Sequence, residues 1–124
     1  MRTNESAEDY LEAIYMIKNE KGACRSIDVA RTLSYTKPSV SVAMKALREK
    51  GYVTVNEAGH LDLTEEGLAI AAKVYERHDI ISRALMSLGV DKETALSDSC
   101  KIEHDLSDIS FQKIKEYLQS KGIV

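Results

Sequence analysis

Tryptophan is absent, phenylalanine and proline occur once each, and glycine is limited to six positions in 124 residues. So little proline and glycine excludes collagen-like, linker-rich and low-complexity chains. One Phe, no Trp and few β-branched runs argue against a β-sandwich or barrel. No unbroken apolar run is longer than that of Leu68 to Ala72, far short of a membrane span, so no membrane partner is expected. Met1 to Glu5 lack the apolar core of a signal peptide. Cys24 and Cys100 are too few for a disulfide framework, so reduced thiols and a cytoplasmic setting are expected.

The charge that is present is unevenly placed. Residues 21–61 hold Lys21, Arg25, Arg31, Lys37, Lys45, Arg48 and Lys50 against Asp28, Glu49 and Glu57. That segment carries +4 and the rest of the chain −7, within a whole-chain charge of −3. A basic segment in an acidic chain points to one face for an anionic partner.

Periodicity predicts mostly helix. Tyr10, Leu11, Ile14 and Ile17 recur at helical spacing over Ser6 to Glu20, with Ser6 as the expected cap and Gly22 as the stop. Ser26 is the expected cap of a short helix, Ile27 to Leu33, with Ile27, Ala30 and Leu33 inward. After Ser34-Tyr35-Thr36, a helix carrying Pro38 in its first turn runs to about Lys50, with Val40, Ala43, Met44 and Leu47 on its apolar face. Two strands, Tyr52 to Asn56 and His60 to Leu63, flank a turn of hairpin length. Thr64 then caps a helix from Glu65 to about Leu88, roughly 36 Å at ~1.5 Å per residue. Asp91 caps the next, to Leu106, and Ser107 the last, to about Lys121.

Helix, short turn, helix and two-stranded ribbon is the order of a winged helix-turn-helix. Its second helix would offer Thr36, Lys37, Ser39, Ser41 and Val42 to the major groove of double-stranded DNA. Lys37 suits a guanine edge or a phosphate, the serines either, and Val42 a thymine methyl. Arg25, Ser26, Lys45 and Arg48 suit phosphates, and His60 lies on the wing. The plain alternative is a winged helix that binds protein or merely folds.

The acidic part holds a second constellation. Asp9 and Glu12 stand at i and i+3 on one side of the first helix. Cys100, Glu103 and His104 stand at i, i+3 and i+4, on a different face from Ala95, Ile102 and Leu106, and His78 lies on the long helix. Carboxylate, imidazole and thiolate are the donors that hold transition metals. Each residue also has a plain reading: Asp9 complements a helix dipole, Cys100 is a small buried residue, and His78, Glu103 and His104 are solvated. Cys24, with no ligand at metal spacing, reads as packing. A nucleophilic Cys100–His104 pair lacks any visible oxyanion donor or orienting group, so no enzyme and no small-molecule substrate are expected.

Several stretches together resemble the diphtheria-toxin-repressor family of metal-dependent transcriptional repressors, in its short, manganese-transport-regulator-like branch. They are Glu8-Asp9-Tyr10-Leu11-Glu12-Ala13-Ile14-Tyr15, Pro38-Ser39-Val40-Ser41, Leu63-Thr64-Glu65-Glu66-Gly67, Arg77-His78, Leu88-Gly89-Val90-Asp91 and Ile102-Glu103-His104-Asp105-Leu106-Ser107. The resemblance implies a mostly α fold: a winged helix-turn-helix DNA-binding domain at 1–64, joined by a long helix to a helical metal-sensing and dimerisation domain at 65–124. No SH3-like third domain is expected. It implies metal ligands at Asp9, Glu12, His78, Cys100, Glu103 and His104.

Two subfamily patterns are mixed. Asp9 and Glu12 match the manganese branch, where the iron branch has a methionine in place of Asp9. Cys100 matches the iron branch, where the manganese branch has a glutamate. Ser82 and Leu96 stand where the iron branch has an acid and a histidine of an ancillary site, and Val42 stands where the family has a DNA-contacting glutamine. Oxygen donors suit Mn²⁺, and a thiolate favours Fe²⁺, Co²⁺ or Zn²⁺. The implied cofactor is Mn²⁺ or Fe²⁺, with Zn²⁺ or Co²⁺ as substitutes, at one or two ions per chain.

The expected protein is a homodimeric repressor of metal-uptake genes on a pseudo-palindromic operator. Phe111, Ile114, Tyr117 and Leu118 form an apolar seam on the last helix, a candidate dimer interface or an intramolecular core. The competing readings are a metal-independent winged-helix factor, and a metal-binding or protein-interaction module without DNA function.

Overall fold

The computed structural model describes residues 5–124, so the signal-peptide reading of Met1 to Glu5 lies outside it, apart from the Glu5 backbone. Six helices and three short strands are present among these residues: α1 (Glu5–Lys21), β1 (Cys24–Arg25), α2 (Ser26–Leu33), α3 (Lys37–Glu49), β2 (Val53–Val55), β3 (His60–Leu63), α4 (Glu65–Ser87), α5 (Lys92–Asp105) and α6 (Asp108–Ser120). None of the described helices is long and apolar enough to cross a membrane. The chain forms two compact units, meeting between Ala72 and Lys73 inside α4.

In the first unit, α1 buries Leu11, Ile14 and Ile17 against Val29 and Ala30 of α2, Val40, Met44 and Leu47 of α3, and Leu61 of β3. Tyr35, in the turn between α2 and α3, meets Tyr10 of α1 edge to face at 5.7 Å, which braces that turn. Thr36 starts α3 by accepting the Ser39 N–H, and Pro38 sits in the first turn.

Three details depart from the sequence reading. Ser6 lies inside α1 rather than capping it. The residue before α2 is Arg25, whose N–H is accepted by the Asp28 carboxylate at 3.0 Å, so Ser26 is not its cap; Ile27 is 39% exposed and Val29 takes the inward place. The wing has a third strand, because Cys24 and Arg25 pair antiparallel with Leu61 and His60, giving the order β1-β3-β2. Cys24 is fully buried, and burial pushes its thiol up to about 11, in keeping with a packing role.

The wing is fastened to the start of α4. The Thr64 N–H donates to the Tyr52 carbonyl at 3.0 Å, and its hydroxyl donates to the Gly51 carbonyl at 2.7 Å while accepting the Gly67 N–H at 3.1 Å. Gly67 is buried at this joint, where a Cβ would stand 2.1 Å from the Tyr52 carbonyl oxygen.

The second unit is built from the remainder of α4 with α5 and α6. Ile80 packs with Phe111 and Leu118, bordered by Ala84, Leu106, Ile114, Ile123 and Val124. Phe111 and Leu118 thus fill the unit's own core and Ile114 is partly buried against it, while Tyr117 remains 61% exposed. Asp91 and Ser107 cap α5 and α6 by accepting the N–H groups of Thr94 and Ser110.

Gly67→Ala should force strand β2 away from α4. We expect a loss of about 1–3 kcal/mol or more, read as a lower urea midpoint. An unchanged midpoint would contradict the close approach at Tyr52.

Candidate functional site

In the second unit, three of the residues singled out as metal donors converge on one nitrogen. His78 of α4 places Nδ1 3.1 Å from Glu103 Oε2 and 3.6 Å from Cys100 Sγ. The other oxygen of the same carboxylate, Oε1, lies 3.5 Å from His104 Nε2, so Glu103 faces both imidazoles. Glu103 and His104 are buried and Cys100 is exposed, so the cluster runs from the interior to the surface.

Sequence reasoning put Ala95 and Ile102 together on a face apart from the donors. Instead the buried face of α5 is Ala95, Ser99 and Glu103, each four residues on, with His104 beside it, and Ile102 is 39% exposed. The physical reason is that the polar side chains here face polar partners inside, Glu103 both imidazoles and Ser99 both His78 and the Leu96 carbonyl, so burial follows polar pairing rather than hydropathy.

Two residues of this site escaped the sequence reading. Ser99, fully buried, has its hydroxyl 3.1 Å from His78 Nδ1 and donates to the Leu96 carbonyl at 3.0 Å. Arg77, 7% exposed, donates from Nη1 to the carbonyls of Glu103 (3.0 Å) and Leu106 and from Nη2 to the Asp108 carboxylate. Its guanidinium also lies 5.2 Å from the centre of the Phe111 ring. The only signal for Arg77 is its place beside His78; a lone serine in a helix gives none.

The hydrogen bond to Cys100, and then that to Glu103, hold the His78 pKa up at about 10 against an ordinary 6.5, with burial opposing. An imidazole nitrogen 3.1 Å from a carboxylate oxygen and 3.6 Å from a sulfur offers donor types that a first-row divalent cation accepts. The donor types of this unit therefore suit such an ion, with His78 facing both Glu103 and Cys100 and His104 on the far oxygen of Glu103.

Asp9 and Glu12 belong to the first unit, on one side of α1, with Asp9 half-buried and Glu12 8% exposed. The same unit carries the basic face. Thr36, Lys37, Ser39, Ser41, Lys45 and Arg48 are all exposed, and Val42 is 72% exposed. The hydroxyl of Thr36 donates to that of Ser39 at 2.8 Å, so these two shape the helix start while Lys37, Ser41 and Val42 project beyond it. Ser41, Lys45 and Arg48 line an open groove of about 770 Å³ whose other wall is Val53 to Val55 of the wing. Arg25 pairs with His60 across β1 and β3, and its Nη1 would lie 3.5 Å from a Cβ at Gly59 on the wing tip, while Ser26 is half-buried behind it.

Comparison with known proteins agrees with both units. Residues 2–61 match the family described as iron dependent repressor, N-terminal DNA binding domain, and residues 64–121 match iron dependent repressor, metal binding and dimerisation domain. An uncharacterized HTH-type transcriptional regulator of Methanocaldococcus jannaschii is 34% identical over 118 residues, covering 94% of each chain. The HTH-type transcriptional regulator MntR of Bacillus subtilis is 35% identical over 117 residues, covering 94% of this chain and 82% of that protein. The crystal structure of IdeR from T. acidophilum superposes with a TM-score of 0.83 at 24% identity over 96% of this chain, which spans only 56% of that longer chain.

The proton at His78 gives two opposite pH dependences. A cation at Nδ1 must displace it, so the apparent affinity for Mn²⁺ should rise by close to tenfold per pH unit between about pH 6.5 and 8. Calorimetry in buffers of differing ionisation enthalpy should find close to one proton released from His78, lost in His78→Ala. Without metal the sign reverses. The raised pKa stabilises the fold fully below 6.5, and that contribution is lost as pH rises through about 10. The melting temperature of the chelated protein should fall over that window, and more than in His78→Ala.

Proposed function

The chain belongs to the iron-dependent repressor family, and on that premise we propose a homodimeric transcriptional repressor that binds its operator when loaded with Mn²⁺ or Fe²⁺ and controls metal-ion uptake. The observation that carries the reading is the convergence of His78 Nδ1, Glu103 and Cys100 in a chain whose other unit is a winged helix-turn-helix with an exposed basic face. We assign DNA reading to residues 1–64 and metal sensing and dimerisation to residues 65–124.

The ligand set we propose is Asp9 and Glu12 from α1, His78 from α4, and Cys100, Glu103 and His104 from α5. A bound divalent ion supplies more positive charge than the single protonated His78 provides. Asp9, Glu12 and Glu103 carry three negative charges, and an ionised Cys100 a fourth. Carboxylates gathered without compensation repel and resist ionisation. Because the six ligands are drawn from three helices, α1 holds its place against the other two only when that repulsion is offset. One placement of the DNA-reading unit is thereby selected.

On DNA, Lys37, Ser39, Ser41 and Val42 face base edges in the major groove, with Thr36 fixing the helix start. Arg25, Ser26, Lys45 and Arg48 hold phosphates. A two-fold dimer sets paired α3 helices about 34 Å apart for a pseudo-palindromic site. We place its contact on the α6 surface around exposed Tyr117 and partly buried Ile114, since Phe111 and Leu118 are taken up by the unit's own core.

The test is recovery of fragmented genomic DNA by the purified protein, anaerobically and at fixed salt, with Mn²⁺, Fe²⁺, Zn²⁺ or chelator. Discrete fragments should be recovered only with metal, and hydrogen exchange in residues 7–20 should slow on loading. Equal recovery with chelator would leave a metal-independent winged-helix factor. Exchange that is equally fast in both states would remove α1 from the switch.

A further inference from the structure

We propose that the Ser99 hydroxyl is an additional oxygen donor of the metal centre, and that it shifts the site toward hard ions such as Mn²⁺ against the softening effect of Cys100. This rests on the metal-binding reading above and adds a residue outside the six-ligand set.

Three side-chain atoms stand around His78 Nδ1: Ser99 Oγ at 3.1 Å, Glu103 Oε2 at 3.1 Å and Cys100 Sγ at 3.6 Å. Ser99 is thus as near to that nitrogen as Glu103 is. Its hydroxyl has one proton, and the Leu96 carbonyl, 3.0 Å away, takes it. What Ser99 turns toward Nδ1 is therefore a lone pair. A lone pair can accept a proton carried on Nδ1, or it can join that nitrogen on a shared cation.

Packing does not require the hydroxyl. Ser99 is 0% exposed on the same helix face as Ala95, also 0% exposed, so a methyl satisfies the space one turn earlier. Nor does the helix require it, since a serine bonding back to the preceding turn is mildly unfavourable to helix. A buried hydroxyl whose free lone pair faces a metal-donor nitrogen has its use at the metal. Serine and threonine hydroxyls are established ligands of hard divalent ions such as Mg²⁺.

The consequence is a choice of metal. Cys100 offers a soft sulfur that favours later ions. A neutral hard oxygen adds little for Zn²⁺, which is content with four donors, and more for Mn²⁺, which takes six. Without Ser99 the centre should lose Mn²⁺ disproportionately.

The experiment compares wild type, Ser99→Ala and Ser99→Thr as full-length protein under anaerobic conditions. Mn²⁺ affinity is read from the paramagnetic resonance of free Mn²⁺, and Zn²⁺ affinity by competition with a chromophoric chelator. Ser99→Ala should weaken Mn²⁺ by about tenfold or more and Zn²⁺ by less than about threefold. Ser99→Thr, which keeps the oxygen, should retain the wild-type ratio of the two. The Co²⁺-loaded Ser99→Ala protein should keep its sulfur-to-metal absorption band and gain visible-band intensity as its coordination number falls. A purely structural Ser99 would weaken both metals equally and leave the Co²⁺ bands unchanged, which overturns the proposal while leaving the metal reading intact. Wild type that binds neither metal overturns both.

Discussion

The second unit depends on one buried cation. A guanidinium inside a protein is tolerable only where most of its donors are met, and Arg77 meets them through Nη1 and Nη2 at the point where two helices join, while its Nε has no hydrogen-bond partner among the described residues. It closes the C-terminal end of α5 through the carbonyls of Glu103 and Leu106, a position where positive charge is also favoured by the helix dipole. It takes Asp108 at the first residue of α6, and Lys73 reaches the same carboxylate at 3.0 Å. The two cations, Lys73 first, hold the Asp108 carboxyl below its ordinary range. Since Arg77 grips the main chain of Glu103 itself, the carboxylate that faces His78 and His104 is anchored at its root. The neighbouring residue, His78, is on the same helix as that anchor, so donor and support come from consecutive positions of α4.

The first unit rests on a different kind of constraint, the fit of small contacts around a helical turn. Tyr10 against Tyr35 fixes the turn that sets α3, and the Thr36 cap fixes where α3 begins. The outward side chains of α3 inherit their direction from these two devices. This division has a chemical logic: a surface that reads DNA needs rigid placement of short side chains, and a metal centre needs donors of several kinds brought from separate elements.

Much of this was legible in the sequence, for reasons that are local. Thr64, Asp91 and Ser107 announce helix starts because each cap acts on an N–H only three residues away. Cys100, Glu103 and His104 stand out together because helix spacing alone puts them on neighbouring positions of α5. What escaped depends on distant partners. Strand β1 has two residues and exists only through its pairing with β3. Ile102 and Ile27 follow an apolar pattern but point to solvent, while Glu103, His104 and Arg77 go inside because partners wait there. Ser99 has no pattern to belong to; its meaning appears only when α4 brings His78 beside it.

The joint at Gly67 bears on how such proteins can be recombined. Tyr52, just ahead of β2, and the opening turn of α4 share a carbonyl contact that leaves no room for a side chain, so the two behave as one rigid piece. A chimera that cuts before Glu65 severs that piece and presents a foreign helix start to Tyr52. The seam for grafting this reading head onto another sensor lies farther along, past Ala72, where α4 leaves the first unit and the splice joins helix to helix.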